Sequence, residues 1–147
     1  MRLFNTLSRK MEELQPLEPG LVRMYSCGPT VYRYAHLGNM RTYLMADWIR
    51  RAVEADGLSV MHVKNITDVG HMRQEMLERG EDKVIASAIA EGKTPQDIAQ
   101  FYTEAFHQDE SKLGILQAGY FPKATEHIQE MINVTKSLEE RGYAYEV

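Results

Sequence analysis

The chain has 147 residues, which suits one domain with a real hydrophobic core, and its hydrophobic fraction of 44% and charged fraction of 26% are ordinary for a globular protein. Its net charge of −4 excludes nucleic-acid binding driven by the overall field, so any such contact needs a local basic patch. A single cysteine excludes an internal disulfide, and no apolar run suits a membrane span or a signal peptide, so we expect a cytoplasmic protein.

The first residues are predicted to lead into one larger unit. Residues 1–20 contain two prolines and a glycine, which end any helix begun near Ser8. The pattern then changes, because the short apolar run at residues 21–27 predicts a first buried strand. We therefore divide the chain into an N-terminal segment, residues 1–20, and a main unit, residues 21–147.

The next stretch predicts a strand, a helix and a second strand. Apolar residues recur with a 3.6-residue period from about residue 40 to 55, and this helix is expected to bury Trp48 and to end at Gly57. Alternating apolar and polar residues at 59–66 predict the second strand. Such a βαβ unit has two parallel strands joined by a right-handed crossover, so the turn at 67–70 should lie at the same sheet edge as the end of the first strand.

The rest of the chain is predicted to be mostly helical. Thr94, Pro95 and Asp97 are typical of a helix start, as N-cap, first position and third position. The predicted elements are, in chain order, a helix at 82–91, a helix at 95–113, a loop at 114–122, a helix at 124–141 and the beginning of a strand at 143–147. Two strong strands and a partial third leave open sheet edges, so the α/β chain has the pattern of the first half of a larger fold.

Cys27 ends the first predicted strand, at an edge where open α/β sheets bind nucleotides. It is either a small buried residue or a thiolate that binds zinc or acts as a nucleophile. A structural zinc site needs four ligands, and the cysteine and histidine spacing of a zinc finger is absent. Composition alone therefore favours the buried residue.

A short turn containing His36, Gly38 and Asn39 opens the first predicted helix. Backbone N–H groups at a helix N-terminus attract anions, and a glycine lets a ligand approach the backbone closely. The alternative is a plain capping turn with Asn39 as N-cap, and the two interpretations use the same geometry. Arg33 and Arg41 flank this turn, so a phosphate contact remains open for both.

Thr67 and Asp68 end the second predicted strand. Their side chains are able to bind an amine or a hydroxyl group, or to cap the turn in which they lie. His62 lies inside that strand, so we expect it to be packed or solvated rather than catalytic, and His71 stays without an assigned role.

Several segments together resemble the N-terminal half of cysteinyl-tRNA synthetase, a class I aminoacyl-tRNA synthetase. The likeness covers nearly the whole chain and depends on residues 4–7, 24–32, 36–39, 65–69 and 124–128. It implies the first half of a Rossmann-like parallel sheet with flanking helices. It also implies that cysteine is activated with ATP and transferred to tRNA(Cys).

The resemblance also implies roles for single residues. The implied ATP-binding residues are Gly28, His36, Gly38 and Asn39. His36 and Asn39 are also the implied catalytic residues, because they match the family's HIGH signature. Thr30 and Thr67 match positions that line the amino-acid pocket, and Cys27 matches the first ligand of a zinc ion that selects the thiolate of cysteine.

The chain departs from the family pattern at three places. Asn39 replaces the second histidine of the signature, and Gly70 with His71 replaces a frequent acidic pair. The other zinc ligands, the KMSKS loop and the tRNA-binding regions would lie beyond Val147, so we expect a truncated catalytic segment that is inactive alone. Two alternatives are a related ligase that joins cysteine to an amino sugar and a non-catalytic module that binds a partner or an adenine nucleotide.

Overall fold

The computed structural model describes residues 1–69 and 92–146. The predicted helix at 82–91 and His71 lie outside these ranges. None of the helices within them has the length and apolar character that a membrane span requires.

The N-terminal segment forms a β-hairpin. Strand β1 (Arg2–Asn5) pairs antiparallel with β2 (Lys10–Glu13). The Asn5 side chain accepts a hydrogen bond from the Leu7 N–H at 2.9 Å, and Arg9 has a φ of 56°. An asparagine that bonds to the backbone two residues later favours a turn, so no helix begins near Ser8.

The predicted βαβ unit is confirmed. Strand β3 (Leu21–Ser26) leads into helix α1 (Leu37–Ala55), which returns the chain to strand β4 (Ser59–Lys64). The two strands pair in parallel along their whole length, from Leu21 opposite Ser59 to Ser26 opposite Lys64. The carboxyl ends of both strands therefore lie at one sheet edge.

Strand β4 also has a neighbour on its other side, which we call the edge segment (residues 119–124). Lys64 N–H donates to the Tyr120 carbonyl at 3.0 Å, and Ile66 N–H donates to the Pro122 carbonyl at 2.8 Å. The predicted loop at 114–122 is confirmed, and its second half also pairs by hydrogen bonds with β4 and the residues after it. A proline is tolerated at this position because an edge segment needs no donor on its outer side.

Helix α1 buries a different face from the predicted one. Trp48 is 64% exposed, so its placement in the core was wrong. The buried residues are Met40, Tyr43, Ala46, Asp47 and Val53. Asp47 is buried because its carboxylate accepts hydrogen bonds from the Leu116 N–H at 2.9 Å and from Arg51 at 2.6 Å.

Helix α2 (Pro95–Lys112) begins as predicted. The Thr94 hydroxyl accepts from the Asp97 N–H at 3.2 Å, and the Asp97 carboxylate accepts from the Thr94 N–H at 2.8 Å. The Thr94 hydroxyl also donates to the Asp97 carboxylate at 2.7 Å, and this bond first, with the backbone N–H bond second, lowers the pKa of Asp97. The Phe106 ring meets the Tyr43 ring edge to face at 5.3 Å, which joins α2 to α1 in the core.

The last predicted helix starts with a 3₁₀ turn (Ala124–His127) and continues as α3 (Ile128–Glu140). None of the α3 residues is buried against the described parts of the chain. Residues 143–146 form no strand, so the predicted start of a strand there is wrong for these residues.

Candidate active site

Cys27 lies at the carboxyl edge of the sheet, in a short stretch that follows β3 and that we call the bulge (residues 27–29). The ladder ends where Ser26 pairs with Lys64, and an isolated bridge then pairs Thr30 with Thr67. Three residues after β3 therefore cover the same interval as two residues after β4. Cys27 is exposed, so its interpretation as a small buried residue is wrong.

The Asn65 side chain joins the bulge to the second strand. Its Oδ1 accepts hydrogen bonds from the Gly28 N–H at 2.9 Å and from the Tyr25 hydroxyl at 2.9 Å. Its Nδ2 donates to the Thr67 Oγ1 at 3.0 Å. One carboxamide thus fixes three groups at this edge. The sequence shows that Asn65 lies two residues before Thr67, but it does not show that Asn65 bonds to Gly28 across the sheet.

Gly28 is needed because the two strands approach each other closely in the bulge. A Cβ atom at this position would lie 1.7 Å from the Asn65 carbonyl oxygen and 3.0 Å from Lys64 Cγ. No side chain fits there without moving backbone. This contact accounts for the glycine by packing, and its ATP-binding role stays a prediction.

The histidine turn is a capping box with His36 as N-cap. The His36 Nδ1 accepts from the Gly38 N–H at 3.0 Å, and the Asn39 side chain accepts from the His36 N–H at 3.1 Å. Asn39 occupies the third helical position, so its prediction as N-cap is wrong. Gly38 leaves room for the imidazole, because a Cβ there would lie 2.9 Å from His36 Cε1.

This cap determines what the turn offers to an anion. The N–H groups of Gly38 and Asn39 are already bonded within the turn, to the His36 side chain and carbonyl. Because the His36 Nδ1 is an acceptor, the neutral ring carries its hydrogen on Nε2. His36 is exposed, so this Nε2–H group is a hydrogen-bond donor at the protein surface. Among the described hydrogen bonds, none joins this turn to the bulge at Cys27.

Comparison with known proteins gives the family of this chain. A family model described as "tRNA synthetases class I (C) catalytic domain" matches residues 13–147. The chain belongs to this family. The class I synthetase fold predicted from the resemblance is therefore confirmed, and it agrees with the parallel sheet and its flanking helices.

Curated relatives of this synthetase chain share almost its whole length. Cysteine–tRNA ligase of Treponema denticola is 47% identical over 99% of the chain, and that of Zymomonas mobilis is 46% identical over 98%. The enzyme of the same name from Thermococcus gammatolerans is 43% identical over 99%. The chain spans only 29%, 28% and 28% of the lengths of these three relatives.

Asp68 belongs to the protein's own hydrogen-bond network. Its carboxylate accepts from the Thr125 N–H at 3.0 Å and from the Thr125 hydroxyl at 2.6 Å. The sequence left two roles open for Asp68, binding a ligand or capping its own turn. The carboxylate does cap, but the segment that it caps is the 3₁₀ turn, which is distant in the sequence. Thr67 is half-buried and lies beside the bulge, and its substrate-binding role stays a prediction.

Behind the bulge of the synthetase chain lies a buried ion pair. Lys64 and Glu110 are 0% and 1% exposed and bond to each other, and the Lys64 Nζ lies 5.0 Å from the centroid of the Tyr43 ring. Burial raises the pKa of Glu110, and the Lys64 ammonium opposes that rise. Burial, then the charges of Glu110 and Cys27, raises the pKa of Tyr43 to about 12. The strand pattern placed Lys64 on a polar face and missed this pair.

Of the two predicted surroundings of His62, packed or solvated, the structure shows the packed one. It is 2% exposed, and its Nε2 shares a hydrogen bond of 2.8 Å with the Ser26 hydroxyl. Burial first, and the positive charge of Lys64 second, lowers its pKa, so the ring is kept neutral.

A complete zinc site is not formed by the described ranges. They contain no group of three or more His, Cys, Asp or Glu side chains that would hold a metal ion. The exposed thiol of Cys27 suits one bond to zinc, but a tetrahedral site needs four ligands. The described residues therefore supply one possible zinc ligand and not a complete zinc site.

Proposed function

We propose that this chain is part of a cysteine–tRNA ligase that activates cysteine with ATP and transfers the cysteinyl group to tRNA(Cys). The observation that carries the proposal is the match of nearly the whole chain to proteins named cysteine–tRNA ligase, at 47% and 46% identity for two of them. Since the chain covers less than a third of those proteins, activity would require further parts of the catalytic domain.

The proposed first reaction needs positioning and charge stabilisation more than a protein nucleophile. A carboxylate oxygen of cysteine attacks the α-phosphorus of ATP, and the bond to pyrophosphate breaks. In the second reaction a ribose hydroxyl of tRNA attacks the carbonyl carbon of the adenylate, and AMP leaves. Charge on the phosphate oxygens grows in the first reaction, so donors aimed at them accelerate it.

His36 is the proposed donor to those oxygens. Its cap leaves the Nε2–H available at the N-terminus of α1, where the helix dipole also favours negative charge. Asn39 holds the His36 backbone N–H and thereby the turn, so we assign it a positioning role in the same site. Gly38 belongs to the site because it gives the imidazole room.

The bulge is the proposed place for the amino acid. Cys27, Thr30 and Thr67 lie at the carboxyl edge, where open α/β sheets bind their ligands. Cys27 would contribute one thiolate to zinc, with the other ligands outside the described ranges. Zinc prefers sulfur ligands, and this preference would favour cysteine over serine.

The test is amino-acid-dependent exchange of pyrophosphate into ATP, measured on the longest natural polypeptide that contains this chain. We expect exchange with cysteine and not with serine. Cys27→Ser should reduce it by at least about tenfold and spare ATP binding, because even changes to groups that support metal ligands lower activity about 10- to 100-fold. Ser59→Ala, a change at the exposed start of β4, is the matched control and should leave exchange unaltered. Full exchange by Cys27→Ser would contradict the role of this thiol.

The acceptor distinguishes the alternatives. A cysteine–tRNA ligase attaches radioactive cysteine to tRNA, whereas the amino-sugar ligase would attach it to a sugar amine, and a non-catalytic module would show nucleotide binding without exchange. Attachment to an amino sugar and not to tRNA would overturn the proposed function. A cytoplasmic location remains a prediction from the sequence.

A further inference from the structure

We propose that Asn65 is a positioning residue that makes the Thr67 hydroxyl a hydrogen-bond donor to the carboxylate of the bound amino acid. This inference depends on the proposed function and deepens it. It assigns a substrate group to Thr67 and a reason to Asn65, which the sequence comparison leaves without a role.

The first step is the orientation of the Asn65 carboxamide. The Gly28 backbone N–H can only donate, so the atom that it meets at 2.9 Å must be the Asn65 oxygen. The Tyr25 hydroxyl lies 2.9 Å from the same oxygen. The nitrogen of the carboxamide is then the atom that lies 3.0 Å from Thr67 Oγ1.

The second step is the direction of the Thr67 hydroxyl hydrogen. A carboxamide nitrogen has no lone pair to accept with, so it donates and Thr67 Oγ1 accepts. The hydroxyl hydrogen must therefore point elsewhere. Within the described ranges the Thr67 hydroxyl donates to no protein group. Thr67 is half-buried beside the bulge, so this donor is open to a ligand.

The third step is the chemistry of the ligand. At neutral pH an amino acid carries an ammonium group, which can only donate, and a carboxylate, which only accepts. The Thr67 hydroxyl accepts from Asn65 and keeps its hydrogen to donate, and of the two charged groups only the carboxylate is able to accept that hydrogen. In the proposed reaction this carboxylate is also the attacking group, so a bond to it would orient the nucleophile.

Asn65→Asp tests this assignment. A carboxylate at this position still accepts from the Gly28 N–H and from the Tyr25 hydroxyl, so the bulge is retained. Its second oxygen now accepts, so it captures the Thr67 hydroxyl hydrogen and removes the donor from the substrate. We expect the KM for cysteine in pyrophosphate exchange to rise about tenfold, the usual size of one lost hydrogen bond to a charged group, while the KM for ATP stays the same.

A double-mutant cycle separates this role from a structural one. In a Thr67→Val background the donor is already absent, so Asn65→Asp should raise the KM for cysteine by only about twofold. Tyr25→Phe, which removes one bond to the same Asn65 oxygen without affecting Thr67, should retain the original KM. Thermal midpoints of all variants should agree within about 3 °C, since two of the three bonds persist.

Each result decides the question. Equal effects of Asn65→Asp with and without the Thr67 hydroxyl would overturn the inference, and so would unfolding of Asn65→Asp. If the unaltered protein exchanges pyrophosphate with cysteine but none of these variants differs from it, only the inference about Asn65 fails. If the unaltered protein shows no exchange, the proposed function fails, and this inference fails with it.

Discussion

Replacing Gly28 by alanine should destabilise the protein far more than an ordinary surface change. The added Cβ would lie 1.7 Å from the Asn65 carbonyl oxygen, half of an ordinary contact distance, and the obstacle is backbone rather than a flexible side chain. The bulge would have to move by more than an ångström. That movement breaks the bond from the Gly28 N–H to Asn65 and weakens the bridge to Thr67.

The expected loss follows from these contacts. Overpacking by one methyl group costs 1–3 kcal/mol, and a broken hydrogen bond about 1 kcal/mol more, so we expect about 3 kcal/mol in the free energy of unfolding. For a chain of this size the thermal midpoint should fall by about 9 °C, measured by circular dichroism.

Gly119→Ala is the matched control for Gly28→Ala. Gly119 also lies against β4, but a Cβ there would make only an ordinary contact, at 3.6 Å from the His62 carbonyl oxygen. We expect its midpoint to change by less than about 2 °C, since such substitutions usually alter stability by at most 0.5 kcal/mol. A Gly28→Ala protein as stable as this control would refute the close approach of the two strands.

Two further predictions concern the buried charges. Glu110→Gln leaves the Lys64 ammonium without a charged partner in an apolar surrounding, so urea denaturation should show a loss of about 3–5 kcal/mol, whereas Lys64→Met combined with Glu110→Leu should recover most of it. Stability should also fall below pH 6.5, because the pKa of His62 is lowered from 6.5 in the folded state, so the unfolded chain binds the proton more readily. The stabilisation is present above that pH and is lost as the pH falls, at up to about 1.4 kcal/mol per pH unit.

Both predictions have clear contrary outcomes. If Glu110→Gln and the apolar double variant were equally unstable, the loss would come from packing rather than from the stranded charge. For the acid effect, the control is His127→Gln, which changes a half-exposed histidine at the end of the 3₁₀ turn and should keep the pH dependence. Burial also lowers the pKa of His107, so His62→Gln should remove only part of the pH dependence, and a pH dependence that is unchanged in His62→Gln would assign it to other groups.

Local signals in the sequence predicted local structure well. Thr94, Pro95 and Asp97 lie next to one another, and their capping box depends on nothing remote, so the start of α2 was foreseen. The βαβ unit was also foreseen, because the apolar period and the spacing of its elements leave one arrangement of the strands. The resemblance to the synthetase family then indicated which residues of the carboxyl edge to consider.

Contacts between remote residues were not predictable in this way. Trp48 belongs to an apolar stripe of α1, but the buried face is the neighbouring one, where Met40 and Tyr43 join the hydrophobic core and Asp47 accepts from the remote Leu116 N–H. The edge segment contains glycine and proline, which are typical of a loop. It pairs with the sheet because one edge of β4 is free beside it. The bulge likewise depends on a count of residues in two strands that lie far apart in the chain.

Successive residues from Asn65 to Asp68 bond alternately to segments on the two sides of this stretch. Asn65 and Thr67 reach the strand end before α1, through the Gly28 N–H and the Pro29 carbonyl, while Ile66 and Asp68 reach the edge segment and the 3₁₀ turn on the other side. Because successive strand residues face alternate sides, inserting or deleting a single residue here would exchange the two sets of partners. The number of residues in this stretch therefore matters as much as their types, because one insertion or deletion would break the contacts on both sides.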